Sequence, residues 1–176
     1  MSYYERNLPH IQADDRFHFL TFATYERGIL PEWAREIVLG CCLHDHTKRY
    51  ALNAAIVMPD HVHLVLWPLV DHKKSETISL QDITQAIKGA SAHAINKYAH
   101  RSGPVWQDES FDHVIRKGYQ FSKLQYLLEN PVRKGLVGSW DKYKWSWCAE
   151  ECRERMYSAA SFARAERARA PVPTRE

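Results

Sequence analysis

Two histidines, His61 and His63, stand two positions apart in a run of aliphatic and β-branched residues, 61–67. Side chains two positions apart on a β-strand point to the same face of the sheet. The two imidazoles would then lie side by side, and a pair of neutral imidazoles can begin a divalent-metal site. Val62 and Leu64 alternate with them and would face a core. A His-x-His pattern also occurs on ordinary half-exposed strands, so the pair needs partners to indicate a site.

A tyrosine and an asparagine further along the chain are candidates for such partners. Tyr126 and Asn130 are four residues apart, in a stretch with leucines at 124, 127 and 128. A spacing of four places both side chains on one face of a helix. A tyrosine phenol can attack a phosphodiester and hold the strand as an ester. A free phenol has a pKa of about 10, so it needs the activation that a cation on the phosphate supplies. The Asn130 amide oxygen could be a further ligand to that cation.

Each of these residues also has a purely structural interpretation. Tyr126 could be a packing aromatic, and Asn130 could simply end a helix before Pro131. Tyr119 is a rival nucleophile at the start of the same helix, but the residue four positions on is Lys123, which offers no oxygen ligand. We therefore rank Tyr126 above Tyr119.

The elements that must position these residues follow from hydrophobic periodicity and from turn residues. Strands are predicted at residues 17–25, 50–58, 61–67 and within 105–116, and helices at 31–46, 79–99 and 119–129. The order β-α-β-β-α-β predicts an α+β, ferredoxin-like (split βαβ) fold. We expect one four-stranded antiparallel sheet with helices mainly on one face, which leaves the other face for a substrate or partner.

Chain length and net charge restrict the domain organisation and the classes of partner that are possible. A chain of 176 residues suits one domain, which we expect over residues 1–150. We expect an Arg/Ala-rich tail at 151–176 that is partly flexible, with its last ten or so residues loosely held. The formal net charge of +3 permits nucleic-acid binding without requiring it.

Cysteine usage and hydropathy indicate the compartment. The four cysteines form no Cys-x-x-Cys pair and predict free thiols in a reducing environment. Residues 1–16 are polar and contain no apolar signal segment, and no stretch approaches the roughly 20 apolar residues of a membrane span. We therefore predict a cytoplasmic protein with no membrane partner.

Several short motifs occur in a fixed order between about Phe17 and Trp147. They are MPDHVHL at 58–64, IKG at 87–89, VWQ at 105–107, FD at 111–112, IR at 115–116, YLLEN at 126–130 and PVRKGLV at 131–137. In this order they resemble the single-tyrosine HUH transposases, and the REP-associated tyrosine transposases in particular.

That resemblance implies an HUH-nuclease type of ferredoxin-like fold. It implies Mg²⁺ or Mn²⁺ held by His61, His63 and Asn130, and Tyr126 as a nucleophile that forms a 5′-phosphotyrosine intermediate and frees a 3′-hydroxyl. It further implies a single-stranded DNA substrate beside a hairpin of the repetitive extragenic palindrome kind, and a monomer or a homodimer. Asp60 departs from the family, which more often has asparagine there. The extra carboxylate could alter the metal preference or simply cap the turn.

Several basic or aromatic residues around the proposed site are candidates for DNA binding. Basic side chains can bind phosphate and an aromatic ring can stack on a base. The candidates are Lys88, Trp106, Arg116, Lys117, Lys123, Arg133 and Lys134. The alternative interpretation is that the basic residues are solvated surface and that Trp106 is buried.

The function predicted is a metal-dependent single-strand DNA endonuclease and strand transferase. One alternative is a domesticated protein that binds hairpin DNA with little or no cleavage. Another is an RNA-binding module of the same topology, which would carry aromatic residues on its central strands. This chain has His61 and His63 at those positions instead, which counts against the RNA-binding alternative.

Overall fold

The computed structural model describes residues 16–71 and 73–169, with side chains described as far as residue 161. The elements, in chain order, are β1 (His18–Thr24), α1 (Glu32–His44), β2 (Tyr50–Val57), β3 (His61–Pro68), β4 (Val70–Asp71), β5 (Glu76–Thr77), α2 (Leu80–Tyr98), β6 (Trp106–Val114), α3 (Gln120–Leu128), α4 (Asn130–Arg133), β7 (Ser146–Cys148) and α5 (Glu150–Arg169). Short 3-10 helices cover Tyr25–Arg27 and Trp140–Lys142.

The main sheet has the strand order β6-β1-β3-β2-β7, and its neighbouring strands are antiparallel. Its first four strands have the ferredoxin-like arrangement, which confirms the predicted α+β fold. Within residues 16–71 and 73–169 the sheet has five strands rather than four, because β7 pairs with the outer edge of β2. Three residues are too few to show a period of two, so this strand leaves no pattern in the sequence. The segment between β3 and α2 contains the small β4-β5 hairpin.

One face of the sheet forms the core under α1 and α2. Val62, Leu64 and Leu66 of β3 point to this face and are fully buried. Helix α2 begins after Ser79, whose Oγ accepts a hydrogen bond from the backbone N–H of Asp82 at 3.0 Å. Such a cap stabilises a helix by about 1 kcal/mol. The alternating apolar residues of β3 therefore pack as predicted and direct His61 and His63 to the opposite face.

The opposite face is partly covered by α3, so the helices are divided between the two sides of the sheet. Leu124, Leu127 and Leu128 of α3 are buried. Tyr126 lies off that apolar stripe and is 51% exposed. Docking of α3 through its leucines thus leaves the tyrosine at the surface of the face that carries the histidines.

The turn between β2 and β3 is held by the end of β1. The backbone N–H and the hydroxyl of Thr24 both donate to the carbonyl oxygen of Asp60, each at 3.0 Å. The backbone N–H of Leu30 donates to the carbonyl oxygen of Pro59 at 2.7 Å. These bonds fix the start of β3, where His61 stands.

The C-terminal helix α5 packs on the body through its first turns, because Cys152 and Met156 are buried. The predictions made for residues 1–15 and for residues 170–176 of the tail fall on segments outside the described residues.

All four cysteines are free thiols. Among the described residues, no helix combines the length and the apolar character needed to cross a membrane.

Candidate metal and nucleic-acid site

His61 and His63 lie side by side on one face of the sheet. Their ring centres are 4.6 Å apart and their planes meet at 71°. The His61 side chain is only 14% exposed. Two imidazoles at this spacing offer two nitrogen donors to one cation, as the period of two along β3 predicts.

Both rings are held in place through their Nδ1 atoms. Nδ1 of His61 lies 2.6 Å from Oδ1 of Asp60, and Nδ1 of His63 lies 2.7 Å from the hydroxyl oxygen of Thr21. With Nδ1 engaged, Nε2 is the atom that each ring offers to a metal. Metal-binding histidines in proteins are commonly oriented in this way by a carboxylate or hydroxyl partner on the other nitrogen. The donor set therefore fits a divalent cation.

The electrostatics keep His63 neutral. Burial lowers the pKa of His63 to about 3, with the charges of His61 and Arg133 acting in the same direction and that of Asp60 opposing them. A neutral imidazole is the form that binds a metal. Burial acts to raise the pKa of Asp60, but its hydrogen bond with His61 and the charges of His61 and Arg27 hold that pKa below its usual range. Asp60 is thus an anion beside the histidine pair.

Tyr126 and His63 pack against the same ring, that of Phe19. The ring of Phe19 lies 5.3 Å from the His63 ring and 6.3 Å from the Tyr126 ring, measured between centroids. The Arg133 guanidinium carbon is 4.3 Å from the centre of the Tyr126 ring. The same guanidinium donates to the carbonyl oxygen of Tyr126 and lies 3.8 Å from the Glu129 carboxylate. The tyrosine is therefore on the histidine face, beside a cation.

Asn130 begins α4 rather than ending α3, but it still follows Tyr126 by about one turn. Glu129 between the two helices has helical backbone angles (φ −79°, ψ −4°), so the chain continues in nearly the same direction. Asn130 is 6% exposed. No described residue forms a hydrogen bond with its side-chain amide. The amide is therefore not committed to another side chain or to the backbone of the described residues, and its oxygen is available as a ligand.

The described ranges, 16–71 and 73–169, contain no group of three or more His, Cys, Asp or Glu side chains suited to hold a metal. A cation bound by the histidine pair would need ligands of another type, such as a carboxamide oxygen, water or a phosphate oxygen. Asn130 is the candidate of that type that the sequence predicts.

The predicted DNA-binding residues fall into three groups. Lys123 and Arg133 lie at the site, where Nζ of Lys123 is 5.7 Å from the Phe19 ring and 6.0 Å from the Tyr126 ring. The second group is exposed and lies between β6 and α3 or just after α4. It consists of Arg116, Lys117 and Lys134.

The third group lies away from the histidine face. Trp106 is 6% exposed, packs edge-on against Phe22 with ring centres 4.9 Å apart, and donates from Nε1 to the Ser91 hydroxyl at 3.0 Å. Nζ of Lys88 donates to the carbonyl oxygens of residues 107 and 108 at 2.6 and 2.9 Å. Burial lowers the pKa of Lys88, opposed by the charge of Asp108. In this structure both residues join α2 to β6, and the Trp106 ring has no free face for a base.

Three residues at the site are missing from the sequence-based candidates. Phe19 links the histidines to the tyrosine, and Thr21 orients His63. Arg27 has left-handed backbone (φ 57°), and its Nη1 lies 3.4 Å from Oδ2 of Asp60. The role of each residue depends on contacts between segments that are distant in sequence. Of the three, only Phe19 had a property in the sequence, its aromatic ring, that could have suggested a place at the site.

No protein-family model matches the chain, and no curated protein matches it. A search of solved structures matches the structure of a REP-associated tyrosine transposase bound to a REP hairpin, with 22% sequence identity and a TM-score of 0.62 over 83% of this chain and 82% of that one. A protein from Deinococcus radiodurans R1, provisionally named a transposase, matches with 25% identity and a TM-score of 0.44 over 65% of this chain and 88% of that one. A TM-score that low does not establish a common fold. The first match does, and the chain therefore has the fold of a REP-associated tyrosine transposase.

Proposed function

We propose that this protein is a metal-dependent single-strand DNA endonuclease and strand transferase that acts beside DNA hairpins. The observation that carries the proposal is the joint placement of three side chains. His61 and His63 direct their Nε2 atoms away from their Nδ1 partners, and Tyr126 stands exposed on the same face across Phe19. The shared fold with a protein solved bound to a REP hairpin supports the choice of substrate.

In this proposal His61, His63 and Asn130 hold Mg²⁺ or Mn²⁺. A divalent cation in that position supplies Lewis-acid polarisation of the phosphate under attack. Thr21 and Asp60 keep the two rings oriented, and the burial of His63 keeps that ring neutral and able to bind.

Tyr126 is the proposed nucleophile. Its phenol oxygen forms a bond to the scissile phosphorus while the bond from phosphorus to the 3′-oxygen breaks. The phenol proton passes to solvent and the departing 3′-oxygen gains a proton, which leaves a 5′-phosphotyrosine ester and a 3′-hydroxyl. Attack on that ester by the 3′-hydroxyl of a second strand, with release of the tyrosine, completes strand transfer. Arg133, beside the Tyr126 ring, is placed to stabilise the negative charge of the incoming phosphate.

Covalent capture tests the proposal. Purified protein is incubated with Mn²⁺ and end-labelled single-stranded DNA that carries hairpins, and the adduct is separated on a denaturing gel. We expect an adduct with the wild type and with Tyr119→Phe, and none with Tyr126→Phe. Tyr119 is a matched control because it is 61% exposed at the start of the same helix.

Two outcomes would contradict the nuclease proposal. If Tyr126→Phe forms the same adduct as the wild type, another residue is the nucleophile. If no adduct or cleavage product forms on any hairpin-bearing strand, while hairpin binding is equal in both proteins, the chain is a hairpin-DNA-binding protein without cleavage.

A further inference from the structure

The edge strand β6 presents an exposed aromatic ring on the histidine face of the sheet. Phe111 is 67% exposed. It pairs with Thr21 across β6 and β1, and Thr21 pairs with His63 across β1 and β3. Side chains that are directly opposite on neighbouring strands share a face. Phe111, Thr21 and His63 thus form one row, and two strand spacings place Phe111 about 10 Å from His63.

Two further rings lie between the β6 edge and Tyr126. His113, two residues beyond Phe111 on β6, stacks on Phe19 with ring centres 5.2 Å apart and planes at 23°. Phe19 in turn packs against Tyr126 at 6.3 Å. Aromatic rings therefore extend from the proposed nucleophile towards the edge of the sheet, with His113 and Tyr126 packed against the buried Phe19. Aromatic surfaces beside cationic groups are how proteins bind single-stranded nucleic acid, with bases stacked on the rings.

Two basic side chains lie beside these rings. Lys123 and Arg133 lie on the α3 side, next to Tyr126. On β6, Asp108, Glu109 and Asp112 are exposed, but Asp112 is opposite Leu20 and therefore points to the other face of the sheet from Phe111. Phosphates would be attracted to Lys123 and Arg133, so the backbone of a strand bound here would run along the α3 side, which leaves its bases free to reach the aromatic rings. The acidic edge also disfavours pairing of β6 with a second copy of itself, because like charges would face each other.

We infer that Phe111 is a base-stacking site for a nucleotide that flanks the cleaved phosphate. This inference rests on the proposed function and assigns a subsite to it. The ligand is an unpaired nucleobase of single-stranded DNA, held by ring stacking and therefore with little sequence preference.

The test compares strands with and without bases. In a Tyr126→Phe background, which prevents cleavage, binding of fluorescein-labelled oligothymidylate is measured by anisotropy against an abasic strand of the same length. Phe111→Ala is expected to weaken binding of oligothymidylate by about 5- to 150-fold and to leave binding of the abasic strand unchanged. Phe111→Trp is expected to retain binding. Lys123→Ala is expected to weaken both strands alike, because it removes a phosphate contact.

Tyr98→Ala is the matched control. Tyr98 is 63% exposed but lies on α2, against Trp33 with ring centres 4.5 Å apart, in the helical layer on the other side of the sheet. It is expected to leave both affinities unchanged. Phe111 is exposed, so its removal should not unfold the domain, and circular dichroism verifies this.

Three results would overturn the inference. Phe111→Ala could leave the oligothymidylate affinity unchanged, or lower both affinities equally. It could also leave DNA binding unchanged while it dissociates a dimer in sedimentation, which would identify a self-association patch. If the Tyr126 adduct still forms in any of these cases, only the stacking site is wrong. Absence of any DNA binding by the wild type would overturn the proposed function as well.

Discussion

The hydroxyl oxygen of Thr21 lies 2.7 Å from Nδ1 of His63, across two antiparallel strands whose register makes these residues direct partners. The bond holds the ring so that Nε2 is the nitrogen presented to a ligand. Because the register is set by the full length of β1 and β3, the orientation of His63 is built into the sheet rather than into a mobile loop.

Removal of the Thr21 hydroxyl should weaken metal binding without loss of the fold. Thr21→Val keeps the β-branched shape but cannot bond to Nδ1, and partners of this kind are worth about 10- to 100-fold in metal affinity. Titration calorimetry with Mn²⁺ measures the loss, and Thr21→Ser, which keeps a hydroxyl, is the control. Equal Mn²⁺ affinity in the wild type and Thr21→Val would mean that the bond does not orient a metal ligand.

Asp60 should have a comparable role for His61. Its Oδ1 is 2.6 Å from Nδ1 of His61, and its Oδ2 is 3.4 Å from Nη1 of Arg27. Asp60→Ala removes the acceptor and is expected to lower Mn²⁺ affinity by about 10- to 100-fold. Asp60→Asn keeps an acceptor oxygen without the charge and should lose less. If Asp60→Asn and Asp60→Ala lose affinity equally, the negative charge matters and the hydrogen bond does not.

The neutral, buried state of His63 predicts a dependence of stability on pH. Burial lowers the pKa of His63 from 6.5 to about 3 in the folded protein. Below pH 6.5 the unfolded chain takes up a proton at this position and the folded one does not. The stability contributed by neutral His63 is therefore present above that pH and is lost as the pH falls towards 3, by at most about 1.4 kcal/mol per pH unit.

Urea unfolding of the wild type and His63→Gln in EDTA, over this range, checks the pH prediction. Burial also lowers the pKa values of His18 and His113, but both proteins share these groups, so their contributions cancel in the difference. The wild type should lose stability more steeply on acidification. Parallel curves would show that folding does not lower the pKa of His63.

Trp106 should matter for stability and not for DNA contact. Its ring is buried against Phe22 and its Nε1 is bonded to Ser91. Trp106→Ala is expected to cost about 3 to 5 kcal/mol of unfolding free energy, measured by urea denaturation. At a temperature where the variant remains folded, its affinity for single-stranded DNA should equal that of the wild type. A selective loss of DNA affinity in a stable variant would restore Trp106 as a base-stacking residue.

Local spacing within the sequence determined much of this protein. The alternation of His61, Val62, His63 and Leu64 set which side chains face the core and which face outwards, because the period of a strand is a property of its own backbone. The order of strands and helices likewise follows from periodicity and turn residues, and it led to the ferredoxin-like fold that the structure has.

Only the tertiary structure decided which distant residues meet. The bond from Thr21 to His63, the row from His63 to Phe111, and the contact of Phe19 with Tyr126 each join segments tens of residues apart. Strand register and helix docking depend on the packing of the whole core, and one local pattern is compatible with several such arrangements. For the same reason, the burial of Trp106 could not be read from its neighbours in sequence.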